Sequence, residues 1–256
     1  MITKKSPEEI AKLRIAGGIL AKMLKTLAKE TVAGVSTLDL DDRGMELIEE
    51  YGVEAALLGY HPEFAATPFP AAICISVNDC VQHGIPSAEH ILKEGDVVNL
   101  DMSIGYEGMI VDSGLTVGVG VVSDVDRKLM AATQEALAHA IKAAKPGNHI
   151  GDISHVVETF IKSRGFSCVE VLCGHGVGYK IHEEPLIPNT GRAGDGPLIE
   201  VGHVYAIEPI VNVGGPDVWF DDAGDGYSVY TKDGSNSAHF EHTVVITEGG
   251  AEILTK

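Results

Sequence analysis

Residues 34–53 read GVSTLDLDDRGMELIEEYGV, and residues 147–166 read GNHIGDISHVVETFIKSRGF. At a constant spacing of 113 positions, Gly34 meets Gly147, Asp39 meets Asp152, Leu40 meets Ile153, Ile48 meets Ile161 and Gly52 meets Gly165. Two shorter matches keep the order. His83-Gly-Ile-Pro86 returns as His182-Glu-Glu-Pro185, and Gly95-Asp-Val-Val-Asn-Leu-Asp101 returns as Gly202-His-Val-Tyr-Ala-Ile-Glu208. One such match would be chance. Three in order predict two similar halves, about 1–122 and 123–256, each running helix, helix, sheet inside a single domain of residues 1–256. Halves of that kind pack about a pseudo-twofold axis, which brings equivalent positions together. Here those positions carry a His/His pair and an Asp/Glu pair.

Local patterns fill in the halves. Ser6-Pro7-Glu8-Glu9 is a capping box with Pro at the first helical position, and apolar residues then recur near helical period over 6–30. A second helix is expected at 37–51, ended by Gly52. Residues 70–78, 95–104 and 115–122 have strand character. Helices return at 123–144, stopped by Pro146-Gly147, and at 151–164, stopped by Gly165. Strands follow at 167–173, 203–213 and 240–248. Runs of strands beside paired helices predict an α+β class rather than a βαβ alternation.

Composition narrows the function. With 37 acidic and 19 basic side chains the formal net charge is −18, and no run of Lys or Arg exceeds a pair. Such a chain lacks the clustered basic surface that nucleic acid requires. No stretch approaches the ~20 apolar residues of a membrane span, and MITKKSPEEI carries no apolar secretory core. The cysteines Cys74, Cys80, Cys168 and Cys173 form no CxxC pair and read as free buried thiols of a reducing cytosol.

The chemistry sits in acids embedded in apolar runs. Asp101 follows Val97-Val98-Asn99-Leu100, and Asp112 follows Met109-Ile110-Val111 across a glycine-containing turn. Glu208 and Glu241 lie in two further strand-like runs. A single acid of this kind is more commonly a turn cap or the partner of an Arg. Yet residues 95–126 contain no Lys or Arg, and Arg192 is the only Arg after residue 165. Buried carboxylates without cationic partners are costly unless a metal neutralises them. His175, flanked by Gly174 and Gly176, adds an unobstructed imidazole, and His83 and His182 occupy equivalent places in the repeat. Four carboxylates and one imidazole exceed the needs of one ion. The oxygen-rich set suits two divalent metals with a bridging water or hydroxide as nucleophile. No P-loop, GxSxG or GxGxxG is present. On residues alone this is a dinuclear metallohydrolase, with phosphoesterase and peptidase both open.

Five strings carry a resemblance: Asn78-Asp-Cys-Val-Gln-His83-Gly-Ile-Pro86, Asp96-Val-Val-Asn-Leu-Asp101, Cys173-Gly-His-Gly-Val-Gly-Tyr-Lys-Ile-His182-Glu-Glu-Pro185, Ala206-Ile-Glu-Pro209 and Ser237-Ala-His-Phe-Glu241-His-Thr-Val. In combination, and over essentially the whole chain, the sequence resembles the type I methionine aminopeptidases. The resemblance implies the pita-bread (creatinase/aminopeptidase) fold, two pseudo-symmetric halves with helices packed on a curved, mostly antiparallel sheet. It implies a metal-dependent exopeptidase that removes the initiator methionine from nascent proteins with a small second residue, by attack of a metal-bridging water or hydroxide on the first peptide bond.

Residue by residue, the resemblance implies two divalent ions per chain (Co, Mn, Fe, Zn or Ni) held by Asp101, Asp112, His175, Glu208 and Glu241. Asp112 and Glu241 would bridge, Asp101 would complete one metal, and His175 with Glu208 the other. His83 would contact the P1′ amide, His182 the substrate carbonyl, and Glu208 would also accept a proton from the attacking water. The methionine pocket would be lined by Phe69, Cys74, Ile181 and Tyr227. Ile181 and Tyr227 stand where Phe and Trp are common in the family, and Gln82 where Cys is frequent. The segment from Tyr60 to Phe69 is longer than the usual loop. The expected partners are nascent polypeptide N-termini, with transient ribosome proximity but no nucleic-acid or membrane binding of its own, and the expected state is a cytoplasmic monomer.

Overall fold

The first helix, α1 (Pro7–Glu30), begins where the capping box places it: the Glu9 amide donates to the Ser6 hydroxyl and the Ser6 amide to the Glu9 carboxylate. Residues 2–63 and 65–256 are described by this computed structural model. Helix α2 (Thr37–Tyr51) repeats the box with Ser36 and Asp39. Helices α3 (Asp124–Ala143) and α4 (Ile150–Ser163) complete the helical set among the described residues.

The echoed positions take the same backbone roles. Asp39 and Asp152 each accept the amide of the residue three positions earlier, at 2.9 and 2.7 Å. Gly34 and Gly147 have φ of 93° and 90°, Gly52 and Gly165 of 65° and 81°, and Gly95 and Gly202 both of 93°. Left-handed backbone of this kind is where glycine is favoured. An isolated antiparallel bridge joins Ser36 to Ile91, and another joins His149 to Leu198.

The sheets are antiparallel. One is built on a long hairpin, Val97–Tyr106 with Met109–Gly118, flanked by Cys74–Val77 and Glu54–Ala55. A second runs in the order Gly250–Ile253, His242–Thr247, Val204–Ile207, Cys173–Gly176, Glu183–Pro188, and two three-stranded sheets, Ser237–His239 with Ile210–Asn212 and Ser167–Cys168, and Val218–Phe220 with Val229–Thr231 and Cys80–Gln82, complete the set among the described residues. The strand expected at 115–122 begins at Met109 and ends at Gly118. The two-residue turn is Glu107-Gly108, with φ of 47° and 79°, the primed-turn geometry that matches strand twist. Asp101 lies mid-strand. The stretch 167–173 divides into Ser167–Cys168 and the start of Cys173–Gly176.

Helices cover one face of these sheets. Leu13, Leu20 and Leu24 of α1 share a core with Leu100, Met102 and Ile104. Leu129 and Leu137 of α3 with Ile153 and Ile161 of α4 share another with Tyr205, Ile207 and Val244. Strand side chains alternate between faces, so Leu100, Met102 and Ile104 turn to the helices while Asp101 and Ser103 turn away. The acids thus face a concave side that no helix covers. The long segment after Tyr60 is pinched at its base: Gly59 N donates to Phe69 O at 2.9 Å and Phe69 N to Tyr60 O at 2.8 Å. Tyr60, Pro62 and Phe69 line the wall of the concavity, and Ala65 is buried beside Phe69.

Candidate metal centre

Register decides what the hairpin presents. Asp101 pairs with Gly114 and Ser103 with Asp112, so both acids lie on the same face one step apart. Gly114 leaves room for the ring of His239: a Cβ at residue 114 would stand 3.0 Å from His239 Cε1. His175 comes from the neighbouring sheet, opposite Ala206 and Leu186. Its Nδ1 lies 2.9 Å from the Gly176 carbonyl oxygen, which can only accept. The proton of a neutral His175 is therefore on Nδ1, and Nε2 offers its lone pair to the cavity. Nε2 is 3.5 Å from Glu208 Oε1 and 3.9 Å from Asp112 Oδ2.

Glu241 sits where the two sheets meet. Its amide donates to Gly114 O at 2.8 Å, and its carbonyl accepts from Ser113 Oγ at 2.8 Å. Asp112 N donates to Thr243 Oγ1 at 2.9 Å, and Thr243 Oγ1 donates to Asp112 O at 2.6 Å. Donor atoms of Asp112, His175 and Glu241 all lie within 4.8 Å of one another. Asp101 and Glu208 line the same cavity of about 280 Å³.

Charge crowding shapes these groups. Withdrawal from water pushes Asp101 and Glu241 well above the usual carboxylate range, and Asp112 adds to both shifts. Burial likewise raises Glu208 to about 7, with His175 opposing and Asp112 adding to the rise. Loss of water contact holds His83 down at about 4, helped by His239 and His175. Asp112 Oδ1 and Glu241 Oε1 are buried with no hydrogen-bond partner among the described residues. No Lys or Arg lines the cavity among those residues. Orphaned carboxylate oxygens beside an imidazole lone pair, with no cationic side chain at hand, form a donor set that fits divalent cations.

All eleven residues singled out from the sequence line this one cavity. Phe69, Cys74 and Tyr227 form its apolar end, with the Phe69 and Tyr227 rings edge-to-face at 5.1 Å and Ile181 nearby in the wall. His83 is held with φ of 59°, in a region that non-glycine residues seldom adopt and that clusters at functional sites. The reason is local: Ile75 N donates to Gly84 O at 2.9 Å, and a Cβ at residue 84 would collide with the Ile75 backbone. The His182 ring centroid is 4.4 Å from that of His175.

Three neighbours had no role assigned to them from the sequence. Gln82 Nε2 donates to Glu208 Oε2 at 2.9 Å. His239, fully buried, places Nε2 at 3.4 Å from the same oxygen. Tyr60 OH is hydrogen-bonded to His182 Nδ1 at 2.8 Å. His239 had a signal, since it stands two residues before Glu241 and alternation puts both on one face. Tyr60 had none, because the long loop hides its alignment.

A family profile described as metallopeptidase family M24 matches residues 11–248. The methionine aminopeptidase of Aquifex aeolicus is 44% identical over 253 residues, covering 98% of this chain and 97% of that protein. Methionine aminopeptidase 1 of Bacillus subtilis is 40% identical over 256 residues and the full length of both. Among solved structures, methionine aminopeptidase from Thermotoga maritima superposes with a TM-score of 0.95 at 40% identity, covering both chains completely. Prolidase from Pyrococcus furiosus superposes with a TM-score of 0.77 at 25% identity, covering 99% of this chain and 65% of that one.

Proposed function

This chain belongs to metallopeptidase family M24 and, within it, to the methionine aminopeptidases, and from that premise we infer that it removes the N-terminal methionine of nascent proteins whose second residue is small. It has the pita-bread fold and is a metal-dependent exopeptidase. The observation that carries the reading is the meeting, in one cavity, of unpaired buried carboxylate oxygens with an apolar end formed by Phe69, Cys74 and Tyr227.

In this reading Asp101, Asp112, His175, Glu208 and Glu241 would hold two divalent ions. The ions, when bound, polarise the scissile carbonyl and supply a nucleophilic water near neutral pH. The remaining work falls to the chain. Phe69, Cys74, Ile181 and Tyr227 take the methionine side chain, whose flexible thioether suits an irregular apolar site. His83, neutral near pH 7, meets the P1′ amide. With Tyr60 as donor to His182 Nδ1, the His182 proton would sit on Nε2, from which it would hydrogen-bond the substrate carbonyl as negative charge grows there. Glu208 accepts a proton from the attacking water, and Gln82 fixes the orientation of its carboxylate.

The test is methionine release from a Met-Ala-Ser peptide by chelator-stripped protein, with Co, Mn, Fe, Zn or Ni restored singly and metal uptake counted in parallel. Metal-dependent release with two ions taken up per chain is expected. Uptake without release under every metal would overturn the substrate assignment.

A further inference from the structure

His182 is carried by an irregular segment, residues 177–182, between the strands Cys173–Gly176 and Glu183–Pro188. The segment has few bonds of its own. Val177 N donates to Val204 O at 3.2 Å, Gly178 O accepts from Ile110 N at 2.6 Å, and Gly178 N donates to Lys180 O at 3.2 Å. Tyr60 OH is bonded to His182 Nδ1 at 2.8 Å, and a further fastening comes from Glu183. Its Oε1 accepts the amides of Tyr179 and Lys180 at 2.5 and 3.1 Å. Its Oε2 accepts from Lys5 Nζ and Thr3 Oγ1, both at 2.7 Å.

Lys5 is the only fully buried lysine among the described residues, its side chain 1% exposed. Its ammonium also donates to Thr3 Oγ1 and lies 4.2 Å from the centroid of the Tyr179 ring. Its stem lies against the Gly178 backbone, where a Cβ would collide with it. The arm that carries Lys5 is itself anchored, since Lys5 N donates to Gly202 O at 2.8 Å. Farther along, Tyr179 OH donates to Glu9 Oε1 at 2.9 Å.

A buried ion pair is a poor source of stability, because desolvating both charges offsets most of their attraction and apolar replacements are commonly as stable. What this pair does provide is position. Two consecutive amides next to His182 hang on one carboxylate, and that carboxylate is oriented by a lysine from an arm more than 170 residues away in sequence. We propose that Lys5 is a positioning residue for catalysis: through Glu183 it fixes the 177–182 segment and so the His182 imidazole over the cavity. The inference rests on the role of His182 in the proposed function. Lys5 touches neither the substrate nor the metal ligands.

The test is Lys5→Met beside Lys5→Met/Glu183→Gln, which leaves no buried charge unpaired and preserves the fold if Lys5→Met alone does not. In the folded variant kcat is expected to fall about ten-fold or more, as for a displaced catalytic contact. KM should change less than about two-fold and metal uptake not at all. In a His182→Ala background the same substitution should add nothing. Amides of 177–182 should exchange with deuterium faster while those of the helices do not, a readout that stands even if the wild-type protein releases no methionine. Unchanged kcat, a loss additive with His182→Ala, or unchanged exchange in the segment would each overturn the proposal.

Discussion

Two adjacent glycines in α1 should respond oppositely to the same added methyl group. A Cβ at Gly17 would stand 2.6 Å from the Leu254 carbonyl carbon and closer still to its oxygen. Carbon atoms in contact prefer about 3.5–4.0 Å, so the helix and the C-terminal segment would have to separate by roughly 1 Å. That segment is tied down. Leu254 N donates to Thr243 O at 2.9 Å, and Thr255 Oγ1 is bonded to His242 Nδ1 and accepts from Thr243 N at 2.9 and 3.2 Å. Overpacking of this kind costs about 2–3 kcal/mol, and for a chain of this size the melting temperature should drop by about 5–10 °C in Gly17→Ala.

At Gly18, one position on, nothing lies within 4 Å of the added atom. There the helix gains alanine propensity without a clash, and Gly18→Ala should stabilise by about 0.5–1 kcal/mol. Calorimetric melts of the two variants and the parent, at one pH and metal load, read the difference directly. A Gly17→Ala variant as stable as the parent would mean that the close approach of α1 to Leu254 does not constrain the fold, and the reasoning would fail.

Three further outcomes are expected. Glu208→Ala should lower turnover of Met-Ala-Ser at least about a hundred-fold, the scale of a lost general base, with an unchanged far-ultraviolet dichroism spectrum; retained activity would refute the role given to Glu208. Tyr60→Phe keeps the ring but loses the hydrogen bond to His182 Nδ1, so kcat should fall about ten-fold with KM nearly constant, and a change confined to KM would make Tyr60 a pocket residue instead. Burial holds Cys80 and Cys173 at about 11 and Cys168 at about 12, and Cys74 well above its ordinary value. A raised pKa shrinks the thiolate fraction at any pH below it, so iodoacetamide at pH 8 should modify the native thiols about a hundred-fold more slowly than the unfolded chain, as mass spectrometry would record.

Much of this was legible in the sequence because it depends on local chemistry. The capping residues Ser6 and Glu9 and the terminator Gly52 set helix ends through bonds spanning three or four positions. The acids Asp101 and Asp112 stood out because nothing cationic lies near them in the chain. What was hidden depends on register and on distant segments. That Gly114 faces Asp101 follows only once the turn is known to be Glu107-Gly108 rather than one involving Gly105. Gln82, Tyr60 and Lys5 reach partners more than a hundred positions away, and no periodicity in the sequence announces such pairs.

The echo between the halves also bears on why the cavity is where it is. Neither half holds the full donor set: Asp101 and Asp112 come from one hairpin, and from the other half come His175, within a strand, and Glu208 and Glu241, each adjoining a strand end. The bonds that join them, Asp112 with Thr243, Ser113 with Glu241, Glu241 with Gly114 and Thr116 with His239, lie along the seam between the two sheets. Most of these use a backbone group on at least one side, so the seam is specified by register as well as by side-chain identity. A slip of one residue would turn Asp101 and Asp112 toward the helices and their apolar neighbours toward the cavity. Docking the halves in register and assembling the donor set are therefore one event, and the acids stay adjacent in spite of their mutual repulsion because the seam that carries them is also held by the hydrophobic cores behind it.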